Sequence, residues 1–181
     1  METQRVMGNL ALALTASGKL QEAEALLRRG LAAASQPDHA ALRAILLTNL
    51  SICMQSQQRL EEAESVCAEA MNLRRKVLGN SHRDTLFAMH NLAQCQVALR
   101  RFTEAAELLE EVVDLAREHL DADDWALAEF LFGYGECLRR TERRDEAESL
   151  LLESQELFTR LLGERDPKTL RARDAVRRLR S

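Results

Sequence analysis

"NLAQCQVALRRFTEAAELLEE", residues 91–111, decides the fold. Nearly everything in it favours helix, yet Asn91 sits inside the run, and Asn competes with a helical backbone for its own hydrogen bonds. Comparing the chain with itself supplies a reason. The segments "LQEAEALL" (20–27), "LEEAESVC" (60–67), "FTEAAELL" (102–109) and "RDEAESLL" (144–151) align without gaps, and their shared Glu22, Glu62, Glu104 and Glu146 stand 40, 42 and 42 residues apart. Thirteen residues before each Glu stand Asn9, Asn49, Asn91 and Gly133. Asn91 therefore occupies a repeat position, and periods of this length mark arrays of stacked supersecondary units.

Around that position the pattern is regular. A large apolar group follows it (Leu10, Leu50, Leu92, Tyr134), and then a small one (Ala11, Ser51, Ala93, Gly135). After the shared Glu comes Ala in every copy: Ala23, Ala63, Ala105 and Ala147. Small residues recurring on two successive helices are what closely approaching antiparallel backbones require. Each unit is thus a helical hairpin. The links "SQPDHAAL", "LGNSHRDTL", "LDADDWAL" and "LGERDPKTL" are short, and Asp38, Ser81, Asp124 and Asp166 are placed to cap the helix that follows each. Pro167 fits just inside the last of those helices. The spacing predicts helices over 2–17, 20–35, 38–57, 60–78, 83–99, 102–120, 124–140, 143–162 and 167–180. No linker is long enough to divide the chain, so one repeat domain over 1–181 is expected, with units near 1–37, 38–80, 81–122 and 123–165 and a capping helix at 166–181.

Composition agrees and excludes several functions. The 181 residues include only 7 Gly and 2 Pro, leaving little for tight hairpins and favouring an all-α fold. A formal charge of −4 gives no general attraction to nucleic acid. No apolar run reaches the roughly 20 residues of a membrane span. Met1 is followed by Glu2 and Thr3 rather than by a basic and then apolar leader, so a soluble, cytoplasmic protein is expected. The four cysteines Cys53, Cys67, Cys95 and Cys137 form no CxxC pair and read as reduced core residues. Cys53, Cys95 and Cys137 fall in phase. Whole repeats are separated by about 8 to 10 Å, however, whereas zinc needs thiolates within about 2.3 Å, so no metal site is expected. Acidic pairs such as Glu61 with Glu62 recur as solvated helix faces, and no His has a partnered nucleophile, so neither catalysis nor a cofactor is indicated.

The pattern resembles the tetratricopeptide repeat, in the longer form found in kinesin light chains. "NLAQC" with "FTEAAELLEE", "NLSIC" with "LEEAES", and the connectors "RRKVLGNSHRDTL" and "LFTRLLGERDPKTL" carry the likeness over nearly all of the chain. It departs from the pattern at Gly133, which replaces Asn, and at Arg83 and Trp125, which stand where the connector usually has Pro. The period alone also suits HEAT or armadillo arrays. The in-phase small residues and the "LG…H…TL" connector favour the tetratricopeptide form.

What the resemblance implies is a right-handed superhelical solenoid of four hairpins plus the capping helix. Its first helices line a concave groove that binds an extended segment of a partner protein. By the family's pattern Asn9, Asn49 and Asn91 face that groove as an amide ladder, each offering donors and an acceptor to peptide backbone. Matching further groove positions selects Arg5 and Leu12 in the first unit, and Ile45, Thr48, Ile52 and Gln55 in the second. The third unit adds Phe87, His90 and Gln94, and the fourth adds Phe132, Glu136, Arg139 and Arg140. A plainer reading has the Asn side chains satisfying carbonyls of neighbouring helices and fixing the stacking register. Phe at helical spacing is likewise more often core than ligand anchor.

The ends bear on partners. The first hairpin lacks the connector a preceding repeat would supply, so a fragment of a longer protein is one expectation, and self-association through Val6, Met7 and Leu10 is another. From Asp166 to Ser181, six basic residues face two acids. With Arg139 and Arg140 nearby, an acidic partner segment with an apolar anchor is expected, as in the tryptophan-acidic motifs that the resembled family binds. The competing function is a structural spacer or self-association module within a larger signalling protein.

Overall fold

The computed structural model describes the backbone of residues 2–180 and, from Val6 to Arg180, every side chain except that of Pro37. The described residues form helices joined by short links and contain no strand. They fall into two compact units, residues 1–99 and 100–181.

The first unit holds α1 (Glu2–Ala16), α2 (Leu20–Ala33), a single 3₁₀ turn (Pro37–His39), α3 (Ala40–Ser56), α4 (Leu60–Leu78) and α5 (Arg83–Ala98). Helix α1 packs on α2 and α3, and α3 and α4 form a hairpin against which α5 lies. The second unit holds α6 (Phe102–His119), α7 (Trp125–Arg140), α8 (Arg144–Leu162) and α9 (Pro167–Arg180). Here α7 pairs with α8, α6 packs on α7, and α9 covers α8 and touches α7. These bounds match the sequence expectation to within two residues.

The repeat logic reappears as burial. Ala11, Ser51, Ala93, Ala23, Ala63, Ala105 and Ala147 are completely buried, as small residues between close helices must be. Gly135 is buried too. The larger core residues Leu27, Leu46, Leu86 and Met89 fill the first unit, and Leu109, Phe130, Leu131, Leu151 and Phe158 fill the second.

Two of the four expected caps form. Asp124 accepts a hydrogen bond from the Ala126 amide at 2.8 Å, and Asp166 accepts one from the Lys168 amide at 2.8 Å. The other two are corrected. The cap of α5 is His82, whose Nδ1 accepts from the Asp84 amide at 3.1 Å, one residue beyond Ser81. Asp38 lies inside the 3₁₀ turn, so the residue flanking α3 is His39, which makes no side-chain cap.

The turns inside hairpins repeat as well. Gly18, Gln58, Arg100 and Glu142 all take positive φ, at 79°, 63°, 63° and 62°. Only the first is a glycine, although the left-handed region is costly for residues with a Cβ. The shared Glu acts at the following helix start. Arg59 donates two hydrogen bonds to Glu62 at 2.7 and 2.6 Å, and Arg143 donates two to Glu146 at 2.7 and 2.6 Å. Those hydrogen bonds hold both exposed carboxyls below their ordinary pKa.

Candidate functional site

In the first unit the expected groove residues share helix faces. Ile45, Thr48, Asn49, Ile52 and Gln55 recur at three- and four-residue steps along α3, and Phe87, His90, Asn91 and Gln94 do so along α5, which contacts α3. Such steps put each set on one stripe. Ile45 is 43 % exposed and Ile52 36 %. Leu12 on α1 is exposed, as is Asn9. The side chain of Arg5 lies outside the described residues.

The three Asn residues turn out to be unlike. Asn49 is half-buried, and its Nδ2 donates to the Gly8 carbonyl of α1 at 3.1 Å. That bond pins α3 to α1, which is the register-fixing role weighed against recognition. Asn91 is also half-buried, but its amide makes no hydrogen bond among the described residues, so both its donors and its acceptor remain available. Thr48 turns its hydroxyl back to the Ala44 carbonyl at 2.9 Å. His90 is only 3 % exposed, and its Nε2 lies 3.4 Å from Nε2 of the exposed Gln94. Arg83 stacks its guanidinium 5.2 Å from the Phe87 ring centre, leaving that ring half-buried.

Next to Ile45 a cleft of about 260 Å³ opens between the start of α3, the end of α4 and the start of α5. Ala44, Ile45, Val77 and Leu78 give it apolar walls, and Arg74 closes one side by donating to the Asp84 carbonyl at 2.7 Å. Sequence reading did not find it, because its walls come from three helices and only Ile45 belongs to the repeat pattern of the groove.

In the second unit α9 covers part of the expected surface. The Arg171 guanidinium lies 4.1 Å from the centre of the Phe132 ring, which also packs against Leu151, Ala175 and Val176. Glu129 accepts from both Lys168 (2.5 Å) and Arg171 (2.7 Å), and the Lys168 ammonium sits 4.3 Å from the Trp125 ring centre. Glu136 pairs with Arg139 at 3.1 Å. Arg139 borders a cleft of about 460 Å³ with Glu142, Arg144, Arg178 and Leu179, in which Arg144 donates to the Leu179 carbonyl. Arg140 is exposed. Within the basic stretch of α9, Lys168 and Arg171 share Glu129, and Arg180 pairs with Glu148.

Among the described residues no grouping of three His, Cys, Asp or Glu could hold a metal ion, and no helix is long and apolar enough to cross a membrane. All four cysteines are buried and unbridged.

One tetratricopeptide-repeat family model matches residues 42–118 and another matches residues 3–36. A search of curated proteins gives no match. Among solved structures, the chain is similar to the nearly identical TPR-like repeats of a Podosopora anserina protein described as a kinesin light chain. The identity is 22 %, over 97 % of this chain and 84 % of that one, with a TM-score of 0.81. It is also similar to BtubC (BKLC) from P. vanneervenii, at 21 % identity over 95 % of this chain and 65 % of that one, with a TM-score of 0.70. A third likeness is to a Rap protein complexed with competence and sporulation factor, at 20 % identity over 98 % of this chain and 52 % of that one, with a TM-score of 0.64. These likenesses establish the fold, an all-α repeat solenoid.

Proposed function

The chain belongs to the tetratricopeptide-repeat family and has the fold of its kinesin light chain type, and from that premise we propose that its α3 and α5 faces hold an extended segment of a partner protein. Repeat arrays of this fold mediate protein–protein interaction. The observation that carries the proposal is the pairing of exposed Ile45 and Ile52 with the uncommitted amide of Asn91. The isoleucines offer apolar contact to alternate side chains of a ligand, while the amide satisfies its backbone, whose groups would otherwise be desolvated unpaired. Asn49 contributes less, because one of its donors is already spent on Gly8. The reading is of a non-catalytic, cytoplasmic protein, a compartment that suits four unbridged thiols.

The test uses a peptide selected from a displayed random library against the full chain. Asn91→Ala should weaken its binding about tenfold, or roughly 1.4 kcal/mol, with the melting temperature unchanged. Asn49→Ala should chiefly lower stability, by about 1 kcal/mol, through loss of the bond to Gly8. Failure to select any peptide, or an affinity indifferent to Asn91→Ala combined with Ile52→Ser, contradicts the proposal. An acidic ligand is the finer part of the reading. Its binding should then weaken as salt rises and screens exposed charges.

A second reading rests on α1. Val6 is 59 % exposed and Leu10 51 %, although the in-phase Leu50, Leu92 and Tyr134 are buried. This apolar face suits association with another copy. Sedimentation at high concentration should show a dimer that Leu10→Asp abolishes, and a monomer at every concentration removes the reading.

A further inference from the structure

Helices α4 and α5 bring two thiols into contact, with Cys67 Sγ 3.2 Å from Cys95 Sγ. Both are buried and unbridged. The contact breaks the repeat pattern in an informative way. Where Cys67 stands, the other units hold Leu27, Leu109 and Leu151, all buried. Cys95 has in-phase counterparts in Cys53 and Cys137, and those thiols each donate to a backbone carbonyl at 3.3 Å, of Leu20 and of Phe102. Core packing alone is served by Leu at position 67, as it is in three other units. The thiol at position 67 instead meets a second thiol, a contact that Leu does not make.

We propose that Cys67 and Cys95 form a site of reversible oxidation, closing an intrachain disulfide between α4 and α5 when the protein meets a peroxide. The sulfurs must approach from 3.2 Å to about 2.05 Å, which rotation of two unbranched side chains and a small helix shift can supply. The reaction balances in two steps. The Cys67 thiolate attacks one peroxide oxygen, the O–O bond breaks, and the departing hydroxide takes up the proton Cys67 released, leaving a sulfenic acid and one water. Cys95 then attacks the sulfenic sulfur, the S–O bond breaks, and the leaving hydroxide takes the Cys95 proton as a second water. In all, two thiols give two electrons to the peroxide. The environment sets the order of attack. The contact with Cys95, opposed by burial and helped by Ser51, holds Cys67 below the ordinary thiol value. The same contact and burial push Cys95 up, so Cys67 is the group that ionises and reacts first. Because the pair is enclosed, peroxide reaches it through local opening of α4 against α5, and the reaction is slower than at a surface thiol. The resulting bond joins positions 28 residues apart and constrains the unfolded chain.

The experiment treats the full chain with hydrogen peroxide, blocks remaining thiols, and maps them by mass spectrometry without reduction. Free thiols should fall from the chain's 4 to about half, with residues 67 and 95 in one linked peptide pair and a raised melting temperature, and dithiothreitol should reverse both. Cys67→Leu, which restores the residue of the other units, should keep its remaining thiols under the same exposure. Cys95→Ser should leave a sulfenic acid at Cys67 that dimedone traps. The proposal is overturned if the thiols persist in the parent, if Cys53 or Cys137 is oxidised first, or if the only disulfides join separate molecules. No partner peptide enters the experiment, so its outcome is independent of the binding reading.

Discussion

Gly135→Leu should destabilise the second unit by about 3 kcal/mol, the typical upper range for overpacking a close-packed core. A Cβ at Gly135 would stand 2.8 Å from Leu151 Cγ, 3.0 Å from its Cδ2 and 3.2 Å from the Ala147 carbonyl oxygen. Leu151 is completely buried and Ala147 presents backbone, so neither can retreat cheaply. Helix propensity points the other way, since replacing a helical Gly with a better former gains up to about 1 kcal/mol. The clash should win. Gly8→Ala supplies the contrast, because its Cβ would meet Asn49 Nδ2 at 3.4 Å and Leu46 at 3.5 Å, which are ordinary contacts. That variant should be neutral or slightly stabilised. Ala63→Leu and Ala105→Leu, at fully buried in-phase sites, should lose about 1 to 3 kcal/mol by the same mechanism. Urea unfolding followed by circular dichroism measures all four, and a Gly135→Leu chain as stable as its parent refutes the close approach of α7 and α8.

The second large effect concerns the attachment of α9. Glu129 is only 13 % exposed and accepts from both Lys168 and Arg171. Glu129→Ala should cost about 2 kcal/mol, the value of charge-assisted bonds discounted because both cations reach solvent. Acid should produce a related loss. Burial pushes the Glu129 carboxyl upward, but the hydrogen bonds and charges of Lys168 and Arg171 more than offset it, so its pKa lies below the ordinary value. A depressed carboxyl contributes stability that is complete above its unfolded pKa of about 4.3 and is lost as pH falls through the folded value. The stability gap between the parent and Glu129→Gln should therefore be constant from neutral pH to about 5 and close below about 4. A gap unchanged at low pH shows that the carboxylate does not hold α9.

How much of this was legible in the sequence depended on whether the signal was periodic. Helix bounds, buried small positions and the hairpin architecture follow from residues that recur every 40 to 42 positions, and a periodic signal needs no knowledge of tertiary neighbours. Caps at Asp124 and Asp166 were equally local. The one at α5 was misplaced because His82 is a rarer cap than the adjacent Ser81, and only the fold shows which side chain reaches the Asp84 amide. Site residues were legible as helix faces but not as roles. Asn49 and Asn91 look identical in sequence, yet Gly8 lies beside the first, and no described hydrogen-bond partner serves the second. The arginines of α9 read as a basic end, whereas two of them, Arg171 and Arg180, pair across helices with Glu129 and Glu148. Cys67 was visible as a departure from Leu27, Leu109 and Leu151, but its contact with Cys95 depends on how α4 meets α5.

Recognition of a partner segment by α3 and α5 is the step on which the proposed function rests. Its most direct test is titration of the isotope-labelled chain with a library-selected peptide, followed through backbone and side-chain amide resonances. The shifts should gather along residues 45–55 and 87–94, the Asn91 side-chain amide should move among the most, and Asn91→Ala should suppress them at the same peptide concentration. Shifts gathered instead on α2 and α4, with the Asn91 amide and the Ile45 and Ile52 resonances unmoved at saturation, would contradict it.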